Sequence, residues 1–199
     1  MPQVQARFTA GRAILRDVLG RYLGRQPPAL SFGYRKHGKP FLLPSPGQQD
    51  LRFNLSHSHG LALYGVTRAR EIGVDLEQIR LDREHEKLAK RFFSPEEAAA
   101  LQALPPEQRV AAFFHCWTRK EAYLKARGEG LAIPLASFAV SLAPGERAAL
   151  LSVADEPGET ARWSLEALDP GPGFAAALAV EGEPAAVRKW QWGTAGNRP

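Results

Sequence analysis

The order of hydrophobic periodicities along the chain is the feature that most limits its fold. Apolar residues recur at helical spacing from about Thr9 to Gly24, alternate over three short runs between residues 52 and 77, return to helical spacing over 84–127, and alternate again from 137. Helix, strands, helices and strands in this order predict an α+β fold. We expect two similar halves, each a helix packed on a small antiparallel sheet, that meet near residues 78–90.

The element boundaries follow from local signals. A Ser94 cap followed by Pro95 and Glu97 predicts a helix start, and Gly128 predicts a helix end. The predicted helices after the first cover 84–92, 94–104 and 107–127, and the predicted strands cover 52–56, 61–67, 72–77, 137–142, 161–168 and 174–180. The expected organisation is an N-terminal half over 1–83, a C-terminal half over 84–185 and a tail over 186–199.

Positive charge is concentrated in the first quarter of the chain. Residues 1–52 carry nine basic and two acidic side chains, a net charge of +7, whereas the remainder has a net charge of −2. A cationic surface on a near-neutral body predicts an anionic partner: nucleic acid, a phosphorylated ligand, an acidic protein or a membrane surface. A basic face kept for solubility is the alternative that charge alone leaves open.

The single cysteine, Cys116, excludes an intramolecular disulfide and a cysteine-rich zinc site. A reducing cytoplasmic location is therefore expected. No stretch approaches the roughly 20 uninterrupted apolar residues of a membrane helix, and residues 1–7 hold no signal-peptide core. We expect no membrane segment.

The run from Ile72 to Glu77 carries the first candidate site. As a strand it places Asp75 and Glu77 on one face and Val74 and Leu76 on the other. Two carboxylates about 6–7 Å apart repel each other unless a cation lies between them, and their hard oxygens suit Mg²⁺ or Mn²⁺. Two solvated acids at an exposed strand end are the alternative.

A second acidic site lies on the helix predicted over 107–127. At 100° per residue, Phe114, Glu121 and Lys125 fall almost on one line beside Trp117, so Glu121 and Lys125 project from the edge of the buried stripe. They form either an ordinary i,i+4 pair worth about 0.2–0.5 kcal/mol or a partly desolvated pair kept for function.

A polar cluster lies at the end of the first strand of the middle group, within the run from Phe53 to His59. Hydroxyl and imidazole groups could hold a phosphate, and His57 with His59 could bind a transition metal. A polar turn with a hydrogen-bonded histidine is the simpler interpretation.

Six motifs combine these sites in one order: Gly38-Lys39-Pro40, Asn54-Leu55-Ser56-His57-Ser58, Ile72-Gly73-Val74-Asp75-Leu76-Glu77, Arg91-Phe92-Phe93-Ser94, Trp117-Thr118-Arg119-Lys120-Glu121-Ala122-Tyr123-Leu124-Lys125 and Gly128-Glu129-Gly130-Leu131. In order and approximate spacing they resemble the 4′-phosphopantetheinyl transferases, especially the single-chain type with two fused halves that activates peptide and polyketide synthases. The resemblance extends from about Arg12 to Val180.

The resemblance implies a monomer of two pseudo-symmetric halves with coenzyme A bound at the seam between them. Members transfer the phosphopantetheine arm of coenzyme A to a serine of an apo carrier protein and release adenosine 3′,5′-bisphosphate. The expected partner is therefore an acidic acyl or peptidyl carrier protein of fatty acid, polyketide or nonribosomal peptide biosynthesis, and no nucleic acid is expected. Such members usually have several tens of residues before the first helix, so a chain starting at Met1 is expected to bind the nucleotide more weakly.

The resemblance also implies a role for each candidate residue. Asp75, Glu77 and Glu121 are expected to ligate Mg²⁺, or Mn²⁺, and Glu121 to act as the base directly or through a metal-bound water. Lys125 is expected to contact the phosphates. The remaining candidates for holding the phosphates of coenzyme A are Arg12, Arg35, Lys39, Ser56 and His57.

Two other functions use the same residues. A metal-dependent phosphohydrolase would cleave coenzyme A with water as the acceptor and would need no carrier protein. A non-enzymatic basic module would bind nucleic acid, but such surfaces usually interleave aromatic and basic residues and need no buried acidic triad.

Overall fold

A computed structural model describes residues 2–81, 84–183 and 186–192. The helices are α1 (Pro2–Leu23), α2 (His85–Phe92), α3 (Pro95–Ala103), α4 (Pro106–Arg127) and α5 (Glu159–Arg162). The strands are β1 (Phe32–Tyr34), β2 (Pro40–Leu42), β3 (Leu51–Ser58), β4 (Leu61–Arg68), β5 (Ile72–Gln78), β6 (Phe138–Val140), β7 (Leu150–Val153), β8 (Trp163–Leu168) and β9 (Phe174–Glu181).

The strongest local signals gave the correct helix boundaries. Ser94 caps α3 in a reciprocal capping box with Glu97, and α4 ends at Gly128, whose φ of 72° is left-handed. Helix α1 begins earlier than the predicted Thr9. Strands β1, β2 and β7 were not predicted, and the helix α5 occupies the start of the strand expected from residue 161.

The strands form small antiparallel sheets: the hairpins β1–β2, β3–β4 and β6–β7, and a three-stranded sheet in the order β5-β9-β8. The predicted α+β class is confirmed. Strand β5, from the predicted N-terminal half, pairs with β9 of the other half, with Asp75 opposite Ala177. The boundary predicted at residue 83 lies outside the described residues, and the division into pseudo-symmetric halves stays a prediction.

Helix α4 packs on the β5-β9-β8 sheet and contributes more buried residues to the larger core than any other element; this core includes Phe113 and Tyr123 of α4 together with Phe138 and Trp163. The alternate residues 175, 177 and 179 of β9 are buried alanines, and their small side chains let the helix lie close to the sheet. A smaller core joins α1 to the hairpins through Leu15, Leu19 and Phe53, among others.

Two further observations concern the ends and surface of the molecule. The tail returns to the first helix, where the guanidinium of Arg21 lies 4.6 Å from the ring centroid of Trp192. Across the described ranges, no helix is both long and apolar enough to cross a membrane.

Candidate functional site

Side chains of β3 take the place of a backbone ladder along one edge of β5. The opposite edge of β5 pairs with β9. Every second residue from Asn54 to Ser58 accepts a hydrogen bond from a β5 amide: Asn54 Oδ1 from Val74 N at 2.9 Å, Ser56 Oγ from Leu76 N at 3.2 Å and Ser58 Oγ from Gln78 N at 3.1 Å. The polar cluster predicted from sequence therefore fixes β5 and the acids on it.

Asp75 lies at the centre of this arrangement and is only 3% exposed. Its Oδ1 accepts hydrogen bonds from Ser56 Oγ at 3.0 Å and from Lys125 Nζ at 2.5 Å. Its Oδ2 is buried and has no hydrogen-bond partner among the described residues. A buried carboxylate oxygen without a donor is costly, so a cation bound at this oxygen would be stabilised.

Gly73 brings α4 against β5. A Cβ atom at this position would lie 2.0 Å from Ala122 O and 2.3 Å from Ala126 N, both backbone atoms of α4. Only a residue without a side chain permits this contact. The close approach places Glu121 and Lys125, which flank Ala122 and Ala126 on the helix, beside Asp75.

The pKa of Glu121 is affected by the charges of the other two predicted acids. Burial raises the pKa of Glu121, the carboxylates of Asp75 and Glu77 raise it further, and Lys125 acts in the opposite direction. Glu77 itself accepts a hydrogen bond from Ser58 Oγ at 3.3 Å. The fold therefore gathers the three acids into one electrostatic neighbourhood.

The acids do not form a finished ion site. In the part of the chain that the structure describes, no three histidine, cysteine or acidic side chains lie close enough together to hold a metal ion as they stand. The ammonium of Lys125 is the cation that contacts Asp75. Metal ligation by Asp75, Glu77 and Glu121 thus stays a prediction.

A cavity of about 300 Å³ opens between the β1–β2 turn and the C-terminal end of α4. Glu121 and Lys125 line one wall, and His37 and Lys39 line another. Asn54 of β3 also contributes to the lining. The cavity therefore places carboxylate, ammonium and imidazole groups around one open cleft.

Lys39 is buried and fully hydrogen-bonded. Its Nζ donates to Glu71 Oε2 at 2.8 Å, to Ile72 O at 3.1 Å and to Ala126 O at 2.8 Å. Burial lowers the pKa of Lys39, while Glu71 opposes that change. Lys39, which is predicted to contact a phosphate, therefore also links the start of β5 to the end of α4 through hydrogen bonds. Glu71 also accepts a hydrogen bond from Arg35, with Nη2 2.5 Å from Oε1.

The other candidates differ in their position relative to the acids. Arg12 lines a second cavity of about 410 Å³, where its Nη2 donates to Tyr34 Oη at 2.8 Å. Ser56 Oγ contacts both Asp75 and Lys125, so its hydroxyl is engaged in the acidic site. His57 is exposed on β3 opposite Ala62.

Sequence reasoning missed two features of the site. Lys120, beside Glu121, is fully buried and pairs with Glu97 at 2.7 Å. Glu71, one residue before β5, binds Arg35 and Lys39. The sequence signal for the Lys120–Glu97 pair was a lysine among aromatic residues on the buried face of the helix. No local pattern indicates the contacts of Glu71.

The family comparisons agree on one kind of protein. A sequence model of the 4′-phosphopantetheinyl transferase superfamily matches residues 71–179, which contain Asp75, Glu77, Glu121 and Lys125. The chain is 46% identical over 181 residues to 4′-phosphopantetheinyl transferase HetI of Nostoc sp., an alignment that covers 91% of this chain and 73% of that protein.

A second relative and a solved structure are more distant. A 4′-phosphopantetheinyl transferase of Bacillus subtilis is 38% identical over 139 residues, which cover 68% of this chain and 58% of that protein. The crystal structure of Thermotoga maritima holo-[acyl-carrier-protein] synthase has a TM-score of 0.45 and 22% identity, and the match covers 57% of this chain and 64% of that chain. The second relative thus extends well beyond the matched region.

Proposed function

The chain belongs to the 4′-phosphopantetheinyl transferase superfamily, and we propose that it transfers the phosphopantetheine arm of coenzyme A to a serine of an apo carrier protein. The family predicted from the motifs is confirmed. The observation that carries the proposed reaction is the grouping of Asp75, Glu121 and Lys125 beside a cavity with basic walls.

The donors in the site fit a magnesium ion. Asp75 Oδ2 is buried and has no hydrogen-bond partner in the described ranges, and the mutual repulsion of the three acids would be relieved by a divalent cation. Carboxylate oxygens are the ligands that Mg²⁺ prefers. Asp75, Glu77 and Glu121 would hold the ion, which would neutralise charge on the pyrophosphate of coenzyme A.

Glu121 is the proposed proton acceptor. The serine oxygen forms a bond to the phosphorus that carries the pantetheine, and the bond from that phosphorus to the bridging oxygen breaks. The bridging oxygen leaves with adenosine 3′,5′-bisphosphate, and the serine proton passes to the Glu121 carboxylate. Burial raises the pKa of Glu121 and so favours proton acceptance, whereas a bound Mg²⁺ would act in the opposite direction.

Lys125 is the proposed partner of the leaving phosphate. Its side chain is 30% exposed and lines the cavity, while its Nζ rests on Asp75 and Ser56. A preorganised ammonium at this point stabilises negative charge as it develops on the departing group. Arg12, Arg35, Lys39, Ser56 and His57 are proposed to hold the remaining phosphates.

The basic N-terminal quarter supports an acidic carrier protein as the acceptor. Its +7 charge would speed the encounter with an acidic partner, and that effect weakens as salt screens it. Because β5 and α4 of one chain carry all three proposed metal ligands, we propose a monomer. The buried single Cys116 fits the proposed cytoplasmic location.

Intact-mass analysis of a carrier protein tests the reaction. The protein is mixed with coenzyme A, Mg²⁺ and an apo carrier that a known transferase accepts. The expected result is a carrier heavier by one phosphopantetheine, with adenosine 3′,5′-bisphosphate as the second product and no reaction after chelation of the metal. An unmodified carrier would contradict the proposal.

Isosteric variants test the site. Asp75→Asn and Glu121→Gln should each lower the transfer rate at least about 100-fold, since each removes a charged oxygen that acts on the reacting groups. Glu107→Gln, exposed at the other end of α4, is the matched control and should keep the wild-type rate. Cleavage of coenzyme A without a carrier would support the phosphohydrolase instead.

A further inference from the structure

Glu71 holds two cations beside the cavity, Arg35 and Lys39. Its Oε1 accepts from Arg35 Nη2 at 2.5 Å and its Oε2 from Lys39 Nζ at 2.8 Å. Arg52 Nη1 also reaches Oε1 at 3.3 Å, but Arg52 is already paired with Asp50 at 2.8 Å. Glu71 is thus the counter-ion of Arg35 and Lys39.

Arg35 and Lys39 stand at the cavity wall formed by Gly128. A Cβ atom at Gly128 would lie 3.0 Å from Lys39 Cδ and 3.7 Å from Arg35 Nη1, and Gly128 lines the cavity. Two cations and one carboxylate leave this wall with a surplus of one positive charge. A ligand phosphate placed here meets Glu71 as well as the cations.

The hydrogen bonds of Lys39 show which acceptor a phosphate would replace. Two of its three acceptors are the backbone carbonyls of Ile72 and Ala126, which lie in β5 and α4 and are fixed by them. The third is the side chain of Glu71. Arg35 could likewise donate to a phosphate with the Nη2 group that now donates to Glu71.

We propose that Glu71 is an internal competitor of the ligand's phosphate groups, which occupies Arg35 and Lys39 in the free protein and limits the affinity for coenzyme A and for the bisphosphate product. This inference rests on the proposed function for the identity of the ligand. A carboxylate that returns to the cations when the product leaves favours release. The same hydrogen bonds lower the pKa of Glu71 despite the opposing effect of burial, so it remains charged at neutral pH.

Calorimetric titration of Glu71→Gln tests the inference without any transfer reaction. Glutamine keeps an acceptor for Lys39 but removes the competing charge. The dissociation constants of coenzyme A and of adenosine 3′,5′-bisphosphate should both fall by about 3- to 10-fold, the effect of one partly screened charge at this range. Inorganic pyrophosphate, as a third probe, should also bind more tightly.

Glu129→Gln is the matched control. Glu129 lies between the cavity-lining residues Gly128 and Gly130, is 44% exposed in its side chain and pairs with Arg127 instead of Arg35 or Lys39. Its removal changes the net charge equally, so equal tightening in both variants would overturn the competition in favour of a general charge effect. Unchanged or weaker binding in Glu71→Gln, or no binding of any probe to either protein, would also overturn it.

The two proposals fail separately. If no carrier is modified but Glu71→Gln tightens the binding of pyrophosphate relative to wild type and Glu129→Gln, the competition stands and the transfer reaction does not. If the carrier is modified but Glu71→Gln binds the three probes as wild type does, the reaction stands and the competition does not. Equal unfolding midpoints of the variants confirm that the comparison concerns the site.

Discussion

One methyl group at Gly73 should separate Glu121 and Lys125 from the acids of β5. In Gly73→Ala the new Cβ would lie 2.0 Å from Ala122 O and 2.3 Å from Ala126 N. Both are backbone atoms of α4, so no side-chain rotation relieves the clash. The helix must move away from the strand by on the order of 1 Å or more to restore ordinary contact.

The displacement has two expected costs. Overpacking of a close contact costs about 1–3 kcal/mol, and a contact between two backbone segments falls at the upper end, so we expect a loss of about 3 kcal/mol in the free energy of unfolding. A misplacement of about 1 Å at reacting groups costs on the order of 100-fold in rate. Because Glu121 and Lys125 move with α4, the turnover number should fall by about that factor.

Urea unfolding and the initial rate of carrier modification at saturating coenzyme A measure these effects. The rate is taken under conditions in which the variant is fully folded. Gly158→Ala is the control, since its Cβ would meet nothing within 4 Å, and it should match wild type in both measurements. A Gly73→Ala protein with wild-type stability and turnover would refute the account of how α4 is positioned.

Two further predictions concern buried charges. Lys120→Met leaves the Glu97 carboxylate buried without its cation and should lower the free energy of unfolding by about 3–5 kcal/mol in urea; a loss below about 1 kcal/mol would contradict this. Burial acts to raise the pKa of Glu159, but hydrogen bonds from Trp163 and other donors outweigh burial and lower the pKa. The Glu159 carboxylate therefore stabilises the fold above its ordinary pKa near 4.5, and this stabilisation is lost as the pH falls through the lowered pKa. Stability curves of wild type and Glu159→Gln should therefore converge in acid, and parallel curves would count against the shift.

Local chemistry explains which elements could be predicted from sequence. The capping box of Ser94 and Glu97 and the left-handed Gly128 depend on residues within one turn of the helix ends, so the pattern alone locates them. Strands β1, β2 and β7 span only three or four residues each. Such lengths are too short for an alternating pattern to be recognised.

The candidate site was predictable in its residues and not in its contacts. Alternation placed Asp75 and Glu77 together, but the role of Asn54 as an acceptor for a β5 amide depends on a meeting of two strands that sequence periodicity does not encode. The same holds for Lys39, whose three acceptors come from residues 71, 72 and 126. Contacts between distant segments are set by tertiary packing.

The pairing of Lys125 decides a question that helical spacing left open. An i,i+4 pair within α4 would have placed the ammonium on Glu121 and lowered the pKa of that carboxylate. Lys125 Nζ instead donates hydrogen bonds to Asp75 Oδ1 at 2.5 Å and to Ser56 Oγ at 3.2 Å, across the contact between helix and strand. Since Ser56 gives its hydroxyl proton to the same Oδ1, that oxygen is satisfied and Asp75 Oδ2 is the one left for a metal ion. Burial and the neighbouring acids then outweigh Lys125 and raise the pKa of Glu121, which favours acceptance of a proton in the proposed reaction, whereas a bound magnesium ion would oppose this effect.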